Sequence, residues 1–296
     1  MGTLVSIDGG RAVPSDDPAA RVSVLDRGLL HGDGVFEVLR TYGGAPFRLE
    51  EHLERLALGC ATARLALPVG LDVLDGEVRA ALALAGRPES HVRVLVTRGE
   101  GGAGPRIRGD ERARRIVVVS PLRLPTEAEY ARGVTASLVA AAHGRDATGL
   151  AGSKALAYLR QALALEIARS RGADDALLVT DSGEVLEGAT STIVVARGGV
   201  LQSPPLSAGV LPGITWATVA ALARTDGLRV EARMLTPRDI YDADEVMLLS
   251  AVRGVMPVVV ADGAPIGAGV PGPLAVCLRA RLTAHAMSVA LRDPVG

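Results

Sequence analysis

Short runs with a two-residue apolar period alternate with longer runs of helical period along the whole chain, and this interleaving restricts the fold more than any other feature. "TLVSIDG", "RVSVLD", "HVRVLVTRG" and "RRIVVVS" alternate like strands, and "GVFEVLRTYGGAPFR" reads as a hairpin turning at Gly43-Gly44. Between them "LEEHLERLALGCATARL" (49–65) puts Leu53, Leu56 and Cys60 on one helical face. The second half repeats the alternation. The strand-like "GVTASLVAAA" precedes a helix opened by Ser153, with Leu156, Leu159, Leu163 and Ile167 as its buried stripe and Gly172 as its stop. "DALLVTDSGEVLEGATSTIVVARGGVLQS" is a meander with turns at Asp181-Ser182-Gly183 and Gly198-Gly199. The helix "PGITWATVAALARTDG", the strands "LRVEARML", "DEVMLLS" and "GVMPVVVADGAPIG", and the helix "PGPLAVCLRARLTAHAMSVAL" follow. An α/β fold is expected. "PLRLPTEAE", with two prolines and no period, is the natural linker. Two domains are therefore expected, 1–120 and 130–296, joined by 121–129.

Composition decides what fills this framework. Aromatic residues make up only 2% of the chain, so the core must be built from Leu, Val, Ala and Ile. With 48% hydrophobic and 22% charged residues the chain has the make-up of a globular protein. A net charge of −1 and no basic stripe interleaved with aromatics argue against nucleic acid as a partner. No apolar segment is long and uninterrupted enough to span a bilayer, and the N-terminus has no signal-peptide pattern. Cys60 and Cys277 are far apart, and the five histidines form no ligand-spaced pair. Neither a disulfide framework nor a bound metal is expected, and the reduced cytoplasm is the expected compartment.

One residue stands out against that background. Lys154 is the sole lysine, against 31 arginines. Arginine stays protonated, whereas a desolvated lysine can lose its proton and attack a carbonyl to form a Schiff base. Tyr158, four residues on, would share a helical face with it. "EVLEGATSTIVV" ends a strand at Glu187, beside Ser191 and Thr192, where a carboxylate could keep a ring nitrogen protonated. At Pro212-Gly213 a helix begins whose first amides, Ile214 and Thr215, together with the Thr215 hydroxyl, could receive a phosphate. Arg55 could add countercharge. "RGEGGAGPR" holds a literal G-x-G-x-x-G at Gly99, Gly101 and Gly104, but Pro105 and a charged run follow instead of a helix. It reads as a flexible loop in which Arg98, Arg106 or Arg108 could take a carboxylate. "HGDG" (31–34) has no metal-ligand companions and reads as a tight turn.

Together these segments resemble the class IV aminotransferases, the pyridoxal phosphate enzymes of fold type IV. The resemblance runs from "DRGLLHGDGVFEVLRTYGG" through "EEHLERL", "GSKALAYL", "EVLEGATSTIVV" and "LPGIT" to "DEVMLLSAVRGVMPV". It implies an N-terminal α/β sandwich and a C-terminal α/β pseudobarrel that carries the Schiff-base lysine, Lys154. It also implies pyridoxal 5′-phosphate, with Glu187 at the pyridine nitrogen and Tyr158 on the phenolic-oxygen side. Arg55, Ile214 and Thr215 would hold the phosphate, and Ser191, Thr192, Leu211, Gly213, Ser250 and Ala251 would complete the cofactor site. Phe36, Val38, Arg98, Arg106, Arg108 and Val252 would face the substrate. Several positions depart from the family pattern: Ala157 and Ser191-Thr192 where asparagines are usual, Trp216 for an arginine, Ala251 for a threonine, and Phe36 for a tyrosine.

The expected reaction is transfer of an amino group between an amino acid, D-amino acids favoured and branched-chain ones possible, and a 2-oxo acid. The alternative is aminodeoxychorismate lyase, which uses the same lysine and cofactor but eliminates pyruvate. A Schiff-base aldolase would explain the lysine but needs neither Glu187 nor a phosphate site. A nicotinamide-binding protein would rest on the glycine loop alone. The family pattern further implies a homodimer.

Overall fold

The computed structural model describes residues 2–102, 104–109, 111–140 and 148–292. The chain divides into two compact units. The first comprises Met1–Arg123, Ser153–Tyr158 and Ala286–Gly296, the second Leu124–Gly152 and Leu159–His285.

In chain order the first unit contains β1 (Leu4–Ile7), β2 (Val13–Pro14), α1 (Arg27–His31), β3 (Gly34–Tyr42), β4 (Ala45–Pro46), α2 (Leu49–Thr62), α3 (Leu71–Ala85), β5 (Ser90–Thr97) and β6 (Arg114–Pro121). Its strands form an antiparallel sheet in the order β2-β1-β6-β5-β3-β4. Val92, Val94 and Val96 of β5 alternate with more exposed residues and join Val35 and Leu39 of β3 on one face. Leu53, Leu56 and Cys60 of α2 and Leu74, Val78 and Leu82 of α3 pack onto that face. Each buried Leu or Val removes apolar surface worth about 1.5–3 kcal/mol from water, so aliphatic residues suffice for this core without aromatics. The β3–β4 hairpin turns at Gly43 and Gly44, both at positive φ (57° and 93°), as a tight two-residue turn requires. The "RVSVLD" run forms no strand. No ladder partner reaches residues 21–25, Val24 and Leu25 are exposed, and Asp26 instead caps α1 by accepting from the Gly28 amide at 2.7 Å.

The second unit contains α4 (Glu127–Arg132), β7 (Val134–Ala140), α5 (Leu159–Ser170), β8 (Asp175–Val179), β9 (Val185–Gly188), β10 (Thr192–Arg197), β11 (Val200–Ser203), α6 (Ile214–Thr225), β12 (Arg229–Ala232), α7 (Pro237–Tyr241), β13 (Glu245–Ser250), β14 (Gly254–Ala261), β15 (Ala264–Pro265) and α8 (Pro273–Ala290). Its mixed sheet runs β12-β11-β10-β13-β14-β7-β8-β9, with β15 on β14. β7 and β8 are parallel, which requires a long crossover, and α5 lies within it. The last two residues of the expected "GVTASLVAAA" strand, Ala141 and Ala142, lie outside the described residues. Helix α4 opens with a capping box between Thr126 and Glu129, inside the segment read as linker.

The helix expected from Ser153 starts six residues later, at Leu159. Its expected stripe is also on the wrong side: Leu159, Leu163 and Ile167 are 71%, 54% and 40% exposed. The face that packs is Ala164 and Ala168, against Val139, Ala176 and Leu178. Alanines four apart let the helix backbone approach the sheet closely, and that close approach sets the helix's rotation. Gly172 at positive φ ends the helix as expected.

Candidate active site

Lys154 sits on an extended segment, not a helix. Its carbonyl accepts from the Phe36 amide at 2.9 Å, and the Leu156 amide donates to Gly34 O at 2.9 Å, so residues 154–156 add a short antiparallel rung to the edge of β3. The glycines of "HGDG" make room for it. Gly32 ends α1 at φ 66°, and a Cβ there would lie 3.0 Å from Ala157 Cβ. A Cβ on Gly34 would lie 2.5 Å from Val96 O and 2.6 Å from Leu156 Cδ1. The turn is therefore the seat on which the lysine segment rests.

In this register Lys154 and Phe36 stand on the same face of β3. Lys154 Nζ lies 4.9 Å from the Phe36 ring centre and donates to Tyr158 Oη at 3.4 Å. The Tyr158 and Phe36 rings meet edge to face at 5.2 Å. Val38 follows Phe36 on this face, and its ladder partner is Arg93. The Arg93 guanidinium lies 4.2 Å from the Phe36 ring centre, and its Nε is buried with no hydrogen-bond partner among the described residues. Burial pushes the Arg93 pKa down, and the Tyr158 phenol opposes that shift. Sequence reading missed Arg93; the alternation of β5, which puts Arg93 opposite the core-facing valines, is the signal that could have found it.

On the opposite face of β3, Glu37 is fully buried. Arg55 grips it through Nε to Oε1 and Nη2 to Oε2, both 2.7 Å, and His52 Nδ1 lies 2.7 Å from Oε2. Burial alone would raise the Glu37 pKa, but the hydrogen bonds and charges of Arg55 and His52 outweigh it and hold the carboxyl at about 2. Burial pushes the His52 pKa down despite Glu37, so against the carboxylate its Nδ1 is the donor. A carboxyl with a depressed folded pKa stabilises the fold above its ordinary value of 4.5 and loses that contribution as pH falls towards 2. His52 acts in the same direction, because the unfolded chain takes up its proton below 6.5. Unfolding free energies measured by urea titration from pH 7 to pH 3 should fall. Glu37→Gln should flatten the decline between pH 4.5 and pH 3 by on the order of 2 kcal/mol; an unchanged slope in that variant would assign acid sensitivity elsewhere.

In the second unit the residues read from "EVLEGATSTIVV" and "LPGIT" come together. Glu187, the penultimate residue of β9, accepts from the Leu211 amide at 3.3 Å. Gly188 bridges to Ser191, and a Cβ on Gly188 would collide with Ser191 Oγ. A Cβ on Gly213 would collide with Thr192 Oγ1, so a side chain there would displace the threonine hydroxyl where α6 begins. The first amides of α6, Ile214 and Thr215, have no intrahelical acceptor. Ser191 is 8% exposed and its Oγ has no hydrogen-bond partner among the described residues. Thr192 pairs with Leu249 of β13, which carries the register on to Ser250, Ala251 and Val252 at the β13–β14 turn. That turn is tied by the Arg253 amide to Ser250 Oγ at 3.3 Å and by Arg253 to Asp175 at 2.7 Å.

The three loop arginines do not behave alike. Arg98 is committed inside the first unit: Nε holds Asp33 and the two terminal nitrogens hold the carbonyls of Arg64 and Ala63, all at 2.9–3.0 Å. This buried clamp has no exposed edge to offer a substrate. Arg106 and Arg108 are exposed and, with Gly102, Gly104 and Ile107, line a cavity of about 420 Å³. The carbonyls of Gly104 and Pro105 accept from the guanidinium of Arg27, another residue that sequence reading missed. No group of three or more metal-ligating side chains occurs among the described residues, and no helix among them is long and apolar enough to cross a membrane.

A family model described as amino-transferase class IV matches residues 34–260. The D-alanine aminotransferase of Bacillus licheniformis is 32% identical over 254 residues, covering 86% of this chain and 87% of its own. The branched-chain-amino-acid aminotransferase of Pseudomonas aeruginosa is 30% identical over 260 residues, covering 86% and 84%. Among solved structures, the branched-chain aminotransferase of the thermophilic archaeon Thermoproteus uzoniensis with norvaline superposes with a TM-score of 0.89 at 27% identity, covering 97% of this chain and 96% of that one. A further branched-chain amino acid aminotransferase, solved with pyridoxamine 5′-phosphate, superposes with a TM-score of 0.91 at 28% identity, covering 97% and 95%. The α/β fold is that of the fold type IV enzymes, and these likenesses favour transamination over the lyase alternative.

Proposed function

The chain belongs to the class IV aminotransferase family, and on that premise we propose that it moves an amino group between an amino acid and a 2-oxo acid, with Lys154 as the catalytic amine. The observation that carries this reading is the sole lysine placed on one face with Tyr158, Phe36 and the half-buried Arg93. Pyridoxal 5′-phosphate supplies an aldehyde for a lysine amine and a ring that accepts the electron pair released at the substrate's Cα. The residues present fit that group. Ser191 Oγ is a buried hydroxyl without a partner, and Gly188 and Gly213 keep the backbone bare beside it and at the start of α6.

Within that reading Lys154 Nζ takes and returns the proton at Cα, and the Tyr158 hydroxyl orients it. Glu187, whose carboxylate accepts from the Leu211 amide, would favour a protonated ring nitrogen. Ile214, Thr215, Gly213, Ser191, Thr192, Ser250 and the Ala251 amide would hold the phosphate, and Arg55, its guanidinium plane fixed by Glu37, would add countercharge. Phe36, Val38 and Val252 contact the substrate side chain. Arg93, Arg106 and Arg108 receive substrate carboxylates in bidentate fashion. D-amino acids are the favoured donors and branched-chain L-amino acids the next. The exposed stripe Leu159, Leu163 and Ile167 supports a homodimer.

Half-reactions on the purified holoenzyme test the reading. D-alanine or L-leucine should convert the aldehyde absorbance to that of the amine form and release the corresponding 2-oxo acid. If neither these nor any other common amino acid discharges the cofactor, transamination is wrong.

A further inference from the structure

In the loop between β5 and β6 the Glu111 carboxylate ties the amides of Arg108 and Gly109 at 2.8 Å, but nothing of that kind holds the Gly104–Arg106 stretch among the described residues. Gly99, Gly101, Gly102, Gly104 and Gly109 give the loop great backbone freedom, and its one large apolar side chain, Ile107, is 50% exposed. Fixing each such residue costs conformational entropy. Something else holds the Gly104–Arg106 stretch in place.

That something is Arg27, which is 2% exposed. Its backbone amide donates to Gly99 O at 2.8 Å. Nη1 donates to Gly104 O at 3.0 Å and Arg106 O at 3.4 Å, and Nη2 donates to Pro105 O at 3.0 Å. Three consecutive carbonyls therefore converge on one guanidinium. Nε is anchored on the other side by Asp33 at 2.9 Å, and Asp33 is gripped again by Arg98. Gly101 permits the approach, because a Cβ there would lie 2.6 Å from Arg27 Cδ. A lysine could not replace this fork: a compact ammonium has three donors at one point and cannot bridge a carboxylate to three spaced carbonyls.

We propose that Arg27 is the positioning residue of the carboxylate receptor: by fixing the backbone from Gly104 to Arg106 it presents the guanidinium groups of Arg106 and Arg108 in one arrangement. The proposal rests on the reading that these two arginines bind a substrate carboxylate. Exposed arginines on a free loop would have to be ordered at each binding event, and a pre-fixed loop removes that cost. Arg27 touches no reacting atom, so its contribution lies in substrate affinity.

The test uses holoenzyme carrying Arg27→Lys, Gly101→Ala, or both Arg106→Ala and Arg108→Ala. Gly101→Ala displaces the guanidinium without removing it and serves if Arg27→Lys folds poorly. KM and kcat are measured with the preferred amino acid and with its amide, which has the same Cα but no carboxylate. Trypsin cleavage after Arg106 and Arg108 is timed by mass spectrometry on the wild type, Arg27→Lys and Gly101→Ala. Expected for Arg27→Lys and Gly101→Ala are a rise of about tenfold in KM for the amino acid, kcat within about twofold, no change with the amide, and about tenfold faster cleavage at both sites. An equal rise with acid and amide, or unchanged cleavage, overturns the proposal. If the double alanine variant raises KM and the Arg27 and Gly101 variants do not, the positioning role falls and the carboxylate reading stands. If the double variant leaves KM unchanged, the carboxylate reading itself fails, and the proposal with it.

Discussion

Replacing Lys154 with alanine should abolish the visible absorbance of the purified holoprotein and lower the rate of amino-group transfer by at least about 10³-fold, since one change removes both the covalent attachment and the acid–base group. Lys154→Arg should fail as completely. The guanidinium would keep the charge, and it could still reach Tyr158 Oη, where Nζ now lies at 3.4 Å. It would remain protonated, however, and could neither condense with an aldehyde nor take a proton from carbon. The arginine variant therefore separates charge from chemistry. Neither variant should harm folding, because the segment is held by backbone bonds to Phe36 and Gly34 that the side chain does not make. Far-UV circular dichroism and melting temperature should match the wild type. A yellow, active Lys154→Arg protein would remove this lysine from the reaction.

The identity of that lysine was legible because the sequence contains no other. Its setting was not. A helical phase for 153–167 rests on Leu156, Leu159, Leu163 and Ile167, but residues 154–156 find their partner at Gly34 and Phe36, more than a hundred positions earlier. A local period cannot register a rung of that kind. The same limit explains α5: its leucines satisfy the apolar period, yet the alanines on the adjoining stripe pack, because sheet proximity rewards small side chains there. Strand β5 was read more safely, since its two-residue alternation coincides with burial on one face. Among the candidate site residues, Glu187, Ser191, Thr192, Gly213, Ile214 and Thr215 were legible as motifs on strand ends and a helix start, and these are features with local causes. The alternation of β5 sets Arg93 apart, but Arg27 and Arg98 could not be ranked beforehand. Each is one arginine among 31, and what separates a loop organiser from a helix clamp is the set of distant carbonyls and carboxylates around it.

Changing Glu187 to glutamine should lower kcat by on the order of 10²–10³-fold while leaving the cofactor bound, the range seen when one preorganised electrostatic partner is removed. The amide has nearly the same shape, and its carbonyl can still accept from the Leu211 amide, which now donates to Oε2 at 3.3 Å. The strand end and the Gly188–Ser191 bridge should therefore survive. What the amide lacks is negative charge. A carboxylate beside a ring nitrogen favours the protonated ring, and only the protonated ring withdraws electrons strongly as the Cα–H bond breaks. The charge is felt more in the transition state than in the ground state, so the loss should fall on kcat, with KM for the amino acid changed by less than about threefold. Glu187→Asp keeps the charge but shortens the reach, and it should recover part of the rate where the isosteric amide does not. A structural role predicts the reverse order, with glutamine tolerated and aspartate harmful. Stopped-flow absorbance of the half-reaction distinguishes the two, because it reads the chemical step without product release. Wild-type rates in Glu187→Gln would detach this carboxylate from the ring and leave the electron sink without a protein partner.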